Sequence, residues 1–231
     1  MENYGILLVD DEPAYHAIVS ALLLPHYGTI DCAADRRAAL QAVRRKSYDL
    51  ILLDIEMAEG DGYRTVTEIR AAREWARVVP IVAFTTLHPP AGDRHFIEEG
   101  FDGWLPKPFS AAQLIGLLRR WLGTDQIGAI DRPGVKLAEI LGEDASAAMT
   151  ERLFASFAEA IAAIDGGAAP RGYGHRLGGL AGTLGFAVLS AAWLGLQYGD
   201  SASWPTVRAL TTEAIDQYRA GRRARVSETP P

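Results

Sequence analysis

Two stretches of the sequence decide the fold: ILLVDDE at residues 6–12 and LILLD at residues 50–54. In each stretch, four apolar residues follow one another without polar alternation and then meet an aspartate. Uninterrupted apolar runs of this length are typical of strands that are buried on both faces, as in a parallel sheet covered by helices. The two stretches therefore predict strands of one parallel sheet whose carboxyl ends bear carboxylates.

Similar apolar runs alternate with helical patterns as far as residue 122. The predicted strands are Gly5–Val9, Thr29–Ala33, Asp49–Leu53, Val78–Phe84 and Gly103–Leu105, and the predicted helices are Ala14–Leu24, Arg36–Lys46, Tyr63–Arg77, Gly92–Glu99 and Ala111–Trp121. Five strand–helix units in this order predict a doubly wound α/β domain with a five-stranded parallel sheet over residues 1–123.

The pattern changes after Gly123. Residues 124–135 are turn-rich and predict a linker, residues 136–225 show helical periodicity only, and residues 226–231 are expected to be a frayed tail. The predicted helices of this half are Lys136–Ala163, with a break near Gly142, Arg171–Leu184, Ala187–Tyr198 and Thr206–Arg223. Four helices with short connections predict an all-α, antiparallel four-helix bundle.

The composition of the chain argues against several classes of protein. The 231 residues have a net charge of −6 and a single cysteine, Cys32, so a disulfide within the chain is excluded and a reducing cytoplasm is favoured. Without a strongly basic half or a signal-peptide pattern, we expect neither a nucleic-acid partner nor export. The stretch 177–199 has no charged residue, but its six glycines and several polar side chains favour two buried bundle helices over a membrane span.

The carboxylates at the strand ends predict a metal site. Asp10 and Asp11 follow the first strand and Asp54 follows the third, so neighbouring strands would bring all three together. Carboxylates this close either raise one another's pKa or require a cation, and Mg²⁺ is bound by such oxygen ligands. Any one of these aspartates alone would more often cap a helix or a turn.

Two further strand ends add groups suited to a phosphoryl group. Lys107 follows the fifth strand and supplies a compact positive charge, while Thr85 ends the fourth strand with a hydroxyl. A carboxylate nucleophile, a metal site, a cation and a hydroxyl together predict phosphoryl transfer that depends on charge stabilisation. Their joint occurrence makes capping aspartates a poor explanation.

Residues 4–122 resemble the receiver domain of two-component response regulators (CheY-like, flavodoxin-like fold). The motifs are VDDE at 9–12, LLDIEM at 52–57, DG at 61–62, FTT at 84–86 and WLPKPF at 104–109. The sequence departs from the family at Ala58, where proline is common.

The resemblance implies a role for each residue of the site. Asp54 would accept the phosphoryl group, and Lys107 and Thr85 would meet its oxygens. Mg²⁺ would be bound by Asp54, by Asp11 directly, by Asp10 more often through water and by Glu56 through its backbone carbonyl. Thr85 and Trp104 would form the conformational switch, and the Lys107–Pro108 bond would be cis. Such a domain catalyses only its own phosphorylation and dephosphorylation, so we expect no other enzymatic activity.

In the helical half, His175 stands out because of its neighbours. On a helix, the positions nearest to it include Gly172, Gly178 and Gly179, and Gly182 lies one turn further. Each interior glycine costs a helix about 1 kcal/mol relative to alanine, so these glycines need a compensating role. Close approach of another protein's backbone to the imidazole is one explanation, and tight packing between helices is another.

Residues from about 130 to 224 resemble the histidine-containing phosphotransfer (HPt) domain. The similar features are Leu137–Leu141 followed by Gly142 and Asp144, Phe154 and Phe157 on a long helix, His175-x-Leu177-x-Gly179, and Leu184-Gly185. The resemblance implies that His175 accepts a phosphoryl group. Gly178 departs from the family, which usually has a lysine there, and Arg171 or Arg176 is a candidate substitute.

Together these features predict a cytoplasmic phosphorelay protein. Its partners would be a sensor histidine kinase and other receiver or HPt proteins, and a homodimer is a further option. The principal alternative is a binding or dimerisation module that phosphorylation of Asp54 regulates, with a degenerate HPt-like bundle. A DNA-binding regulator is disfavoured because no basic recognition helix is present, whereas a phosphatase for a partner's phospho-aspartate stays open.

Overall fold

The computed structural model describes residues 4–57, 62–123, 142–197 and 201–228. The chain divides into two compact units, residues 1–146 and 147–231. The predicted linker at 124–135 and the first part of the predicted bundle, 136–141, lie outside the described residues.

The first unit contains a five-stranded parallel sheet, as predicted. Its strands are β1 (Tyr4–Val9), β2 (Gly28–Ala33), β3 (Leu50–Leu53), β4 (Ile81–Thr85) and β5 (Gly103–Pro106). Its helices in the described ranges are α1 (Pro13–Tyr27), α2 (Arg36–Arg45), α3 (Gly62–Ala72), α4 (Asp93–Glu98) and α5 (Ala111–Leu122). The strand order is β2-β1-β3-β4-β5 with parallel pairing throughout, which is the flavodoxin-like, doubly wound arrangement.

The burial of the strand residues agrees with the uninterrupted apolar runs in the sequence. Every residue of β3 and β4 is buried, as are the last four residues of β1, so the central strands are covered on both faces. Helix α5 begins with a capping box in which Ser110 and Gln113 satisfy each other's backbone N–H groups. It ends at Gly123, whose φ of 68° is the left-handed conformation that favours glycine.

The segment between α3 and β4 differs from the sequence-based expectation. The sequence predicts a helix as far as Arg77 and a strand from Val78, but α3 ends at Ala72, a 3₁₀ turn covers Trp75–Arg77 and β4 begins at Ile81. The Arg70 guanidinium donates to the carbonyl oxygens of Ala76 and Val79, which holds this backbone in a turn. Val78 is 84% exposed and is therefore not a strand residue of the core.

The second unit is all-α over its described residues. Its helices are α6 (Glu143–Asp165), α7 (Pro170–Thr183), α8 (Ala187–Gln197) and α9 (Trp204–Glu228). Phe157, Leu177 and Trp193 form part of its buried core, where Trp193 Nε1 donates to Thr211 Oγ1 at 2.9 Å. The sequence predicts a frayed tail from residue 226, and in the structure α9 continues to Glu228.

The uncharged stretch is divided between two of these helices. α7 ends at Thr183 and α8 begins at Ala187, with Gly185 between them at a φ of 91°. The sequence favours two bundle helices over a membrane span for this stretch, and two helices are observed. In the described part of the chain, no helix combines the length and the apolar character that crossing a membrane requires.

Candidate functional site

The sheet brings the predicted carboxylates together at one edge. β1 and β3 pair directly, with Val9 opposite Leu53, and the Asp54 N–H donates to the Val9 carbonyl at 2.8 Å. Asp10 and Asp54 therefore leave adjacent strands at the same level. Carboxylate oxygens of Asp10, Asp11 and Asp54 all lie within 4.8 Å of one another.

Lys107 neutralises part of this negative charge. Its Nζ donates to Asp10 Oδ2 at 2.6 Å and to Asp54 Oδ2 at 2.8 Å, and all three side chains are at most 1% exposed. The other oxygen of Asp54, Oδ1, accepts from the Glu56 N–H at 3.0 Å. The Lys107–Pro108 bond is cis, as the family resemblance implied.

Two aromatic rings that sequence reasoning did not identify surround the same ammonium group. The Lys107 Nζ lies 4.2 Å from the centre of the Tyr15 ring and 4.5 Å from that of the Phe84 ring. Ring faces attract cations, most strongly where water is excluded. The sequence identifies both residues only as positions of a helix and a strand, and nothing in their spacing distinguishes a ring over a lysine from an ordinary core ring.

Burial dominates the ionisation of this cluster. Burial raises the pKa of Asp10 to about 7, with Lys107 opposing the shift and Asp54 adding to it. For Lys107, burial by itself lowers the pKa, but the attraction of Asp10 and Asp54 outweighs it, so the pKa is raised. Lys107 is therefore an ammonium ion throughout the physiological range.

The predicted switch residues, Thr85 and Trp104, lie on the paired strands β4 and β5. Thr85 is fully buried, and its hydroxyl donates to Glu56 Oε2 at 3.3 Å. Thr86, to which the sequence alone assigns no role, donates to the same oxygen at 2.7 Å. Trp104 is half-buried, and its ring centre lies 5.4 Å from that of Phe96.

The comparisons with known proteins agree with this geometry. The family model of the response regulator receiver domain matches residues 6–119. Residues 6–119 are a response regulator receiver domain. The match ends before the second unit begins, so it bears on the receiver domain alone.

Individual relatives match over the same part of the chain. The sensor protein GacS of Pseudomonas syringae pv. syringae is 35% identical over 120 residues, which is 51% of this chain and 13% of that protein. The transcriptional regulatory protein TcrA of Mycobacterium tuberculosis is 31% identical over 128 residues, 55% of this chain and 48% of that protein. The chain thus spans less than half the length of either curated relative.

Among solved structures, the receiver domain of a sensor histidine kinase from Pseudomonas aeruginosa is similar to this chain. That structure is described with a magnesium ion coordinated in the active site cleft. It is 36% identical, covers 53% of this chain and 99% of its own, and has a TM-score of 0.47.

In the present chain, the clustered carboxylate oxygens fit a magnesium ion. Mg²⁺ prefers oxygen ligands, of which carboxylates supply one or two and water and phosphate the rest. The three clustered aspartates provide such oxygens, and Asp11 is the most accessible of the three side chains. Asp10, Asp11 and Asp54 are therefore the residues that would hold the ion.

His175 lies in the second unit, on α7, and is half-buried. Two glycines of this helix pack against α8: a Cβ at Gly174 would lie 2.6 Å from the Trp193 carbonyl oxygen, and one at Gly178 would lie 2.7 Å from Leu194 Cγ. A real Cβ atom essentially never comes this close to another heavy atom. Gly174 and Gly178 thus permit two helices of the same unit to approach closely.

This packing bears on the two explanations that the sequence leaves open for the glycines near His175. At Gly178 the explanation that holds is tight packing between helices, because this glycine is covered by α8. Gly172 does face open space, since a Cβ added there would have no neighbour within 4 Å. The family's usual lysine has no room at position 178, and of the two candidate substitutes Arg171 is exposed while Arg176 lies over the Tyr173 ring at 5.4 Å.

Proposed function

We propose that this protein is a phosphorelay component in which Asp54 accepts a phosphoryl group with Mg²⁺ and His175 passes phosphoryl groups to or from receiver aspartates. The observation that supports it most is the buried contact of Asp54 with Lys107, beside the carboxylates of Asp10 and Asp11. A sensor histidine kinase is the expected donor, and other receiver or HPt proteins are the expected exchange partners. The single cysteine fits a reducing cytoplasm as the site of action.

The chemistry at Asp54 is a transfer between a nitrogen and an oxygen. An oxygen of Asp54 forms a bond to phosphorus while the phosphorus–nitrogen bond of the donor phosphohistidine breaks, and the electron pair of that bond stays with the donor imidazole. The Lys107 ammonium, now shared by Asp10 and Asp54, compensates the charge of the phosphoryl oxygens. Bound Mg²⁺ would supply further charge neutralisation at these oxygens.

The same chemistry is proposed at His175. A neutral imidazole nitrogen is a nucleophile near neutral pH, and both phosphohistidine and phospho-aspartate are energy-rich, so transfer runs in either direction. We infer that a phospho-aspartate of a receiver phosphorylates His175, since none of the chain's sequence resembles an ATP-binding kinase domain.

A labelling experiment tests both sites. The wild type, Asp54→Ala and His175→Ala are incubated with radiolabelled acetyl phosphate and Mg²⁺, and separately with a radiolabelled phospho-receiver. We expect acetyl phosphate to label the wild type and His175→Ala but not Asp54→Ala. We expect the phospho-receiver to give Asp54→Ala an acid-labile, base-stable label that is absent from Asp54→Ala/His175→Ala. Aspartate labelling that persists in Asp54→Ala would refute the assignment of Asp54.

A second function is favoured by one observation. Because Gly178 packs against α8, the family's lysine cannot be restored there, which suits a bundle that has lost phosphotransfer and serves as a binding or dimerisation module. In that case, phosphorylation of Asp54 would regulate binding. A failure to label His175 with several phospho-receivers, together with normal labelling of Asp54, supports this second function over the first.

A further inference from the structure

Glu56 connects the phosphoacceptor to the switch through two different groups. Its backbone N–H donates to Asp54 Oδ1 at 3.0 Å. Its side-chain Oε2 accepts from Thr86 Oγ1 at 2.7 Å and from Thr85 Oγ1 at 3.3 Å. The two threonine hydroxyls at the end of β4 are thus directed toward one carboxylate oxygen, and both threonines are at most 2% exposed.

A hydroxyl has one proton to donate. The Thr85 oxygen already accepts from the Leu87 N–H at 3.2 Å, and its proton is directed to Glu56. Thr85 therefore cannot donate to Glu56 and to a phosphoryl oxygen on Asp54 at the same time. Thr86 likewise has only one hydroxyl proton to donate. It donates this proton to Glu56 Oε2, at a shorter distance than Thr85 does.

The two acceptors also have charge of the same sign. A carboxylate and a phosphoryl group are both anionic, and like charges at close range disfavour each other. Hydrogen bonds to ionised acceptors are shorter and stronger than those between neutral groups, so neither acceptor gives up the hydroxyls without cost. The contact of Glu56 with Thr85 and Thr86 and the phosphorylated state of Asp54 are therefore in competition.

We propose that the Glu56 side chain is a positioning residue that holds the Thr85 and Thr86 hydroxyls in the unphosphorylated state and so lowers the affinity of the site for a phosphoryl group. The proposal rests on the proposed function of Asp54. It assigns to the Glu56 carboxylate a role separate from that of the Glu56 backbone carbonyl, which the family resemblance links to the metal.

The test measures how tightly the site binds beryllofluoride, a non-hydrolysable analogue of the phosphoryl group, in the presence of Mg²⁺. The full chain is used as wild type, Thr86→Val, Thr86→Ser, Glu56→Gln and the double variant Glu56→Gln/Thr86→Val. Thr86→Val keeps the shape of the side chain but removes the hydroxyl that makes the shorter contact, whereas Thr86→Ser retains the hydroxyl. Affinity for Mg²⁺ alone is measured for each variant as a control.

We expect Thr86→Val and Glu56→Gln each to bind beryllofluoride about tenfold more tightly, since the first removes a charge-assisted hydrogen bond that competes with the ligand and the second removes the charge that strengthens this bond. The double variant should gain less than the sum of the two single gains, because both changes act on the same contact between Thr86 and Glu56. Thr86→Ser should resemble the wild type, and Thr86→Val should leave the affinity for Mg²⁺ alone unchanged.

Two results would overturn the proposal in distinguishable ways. If Thr86→Val binds beryllofluoride no more tightly than the wild type while Glu56→Gln does, Glu56 acts through its charge alone and the threonine contact has no role. If the wild type with Mg²⁺ binds no beryllofluoride, the proposed function of Asp54 fails, and the proposal for Glu56 fails with it.

Discussion

The two packed glycines of α7 allow a quantitative prediction about the second unit. In Gly174→Ala, the new Cβ would lie 2.6 Å from the Trp193 carbonyl oxygen and 2.9 Å from the Gln197 nitrogen. Both are backbone atoms of α8, so the clash is relieved only if the two helices move apart. Overpacking of this kind costs about 1–3 kcal/mol, and backbone contacts this short place the cost near the upper end.

An opposing effect must be subtracted. Alanine is favoured over glycine inside a helix by about 1 kcal/mol, so the net destabilisation by Gly174→Ala should be about 2 kcal/mol. Gly172→Ala is the matched control, because it lies on the same helix with open space around its Cβ position. That substitution should stabilise by up to about 1 kcal/mol, since the preference of a helix for alanine acts there without an opposing clash.

Hydrogen exchange measured by mass spectrometry on the full chain is a suitable assay. It reports the opening free energy of α7 and α8 separately from that of β1 and β3, which should not change. Gly178→Lys, which restores the usual residue of the HPt family, should weaken protection at least as much as Gly174→Ala. If α7 and α8 are instead protected from exchange to the same extent in Gly174→Ala as in Gly172→Ala, the two helices are not closely packed at Gly174. The glycines would then serve another purpose, such as the approach of a partner.

Two further predictions concern buried polar groups. Because the pKa of Asp10 is raised from 3.8 to about 7, the metal-free protein should lose stability as the pH rises between these values, by about 4 kcal/mol in total. Urea unfolding at several pH values, with a chelator present, should show this loss in the wild type, and the free energy of unfolding should depend less on pH in Asp10→Asn. An equal pH dependence in the two proteins would contradict the raised pKa of Asp10. Thr211→Val should destabilise the second unit by about 1–3 kcal/mol, because the buried Trp193 N–H loses its acceptor. Thr211→Ser should retain most of the stability, because it keeps the hydroxyl. If hydrogen exchange in α8 and α9 is equal in the wild type, Thr211→Val and Thr211→Ser, the hydrogen bond contributes nothing to stability.

The sequence alone determined the chemistry that meets at the edge of the sheet. The apolar runs before Asp10 and Asp54 predict parallel strands, and parallel strands end at the same edge. The carboxylates had to converge once the strands paired as neighbours, and the same rule placed Lys107 and Thr85 there. This convergence could be predicted because the uninterrupted apolar runs and the polar residues that follow them are local features of the chain.

Only the tertiary structure decided which neighbour covers each side chain. Helical spacing identifies the residues that share a face with His175, but it does not say that α8 lies against Gly174 and Gly178. The hydrogen bond from Thr86 to Glu56 joins residues 30 positions apart in the sequence. The ring of Tyr15 contacts Lys107, although the two residues lie near opposite ends of the receiver sequence. Periodicity limits which face a residue occupies, whereas its contacts depend on how distant elements pack, and that is settled only when the whole fold forms.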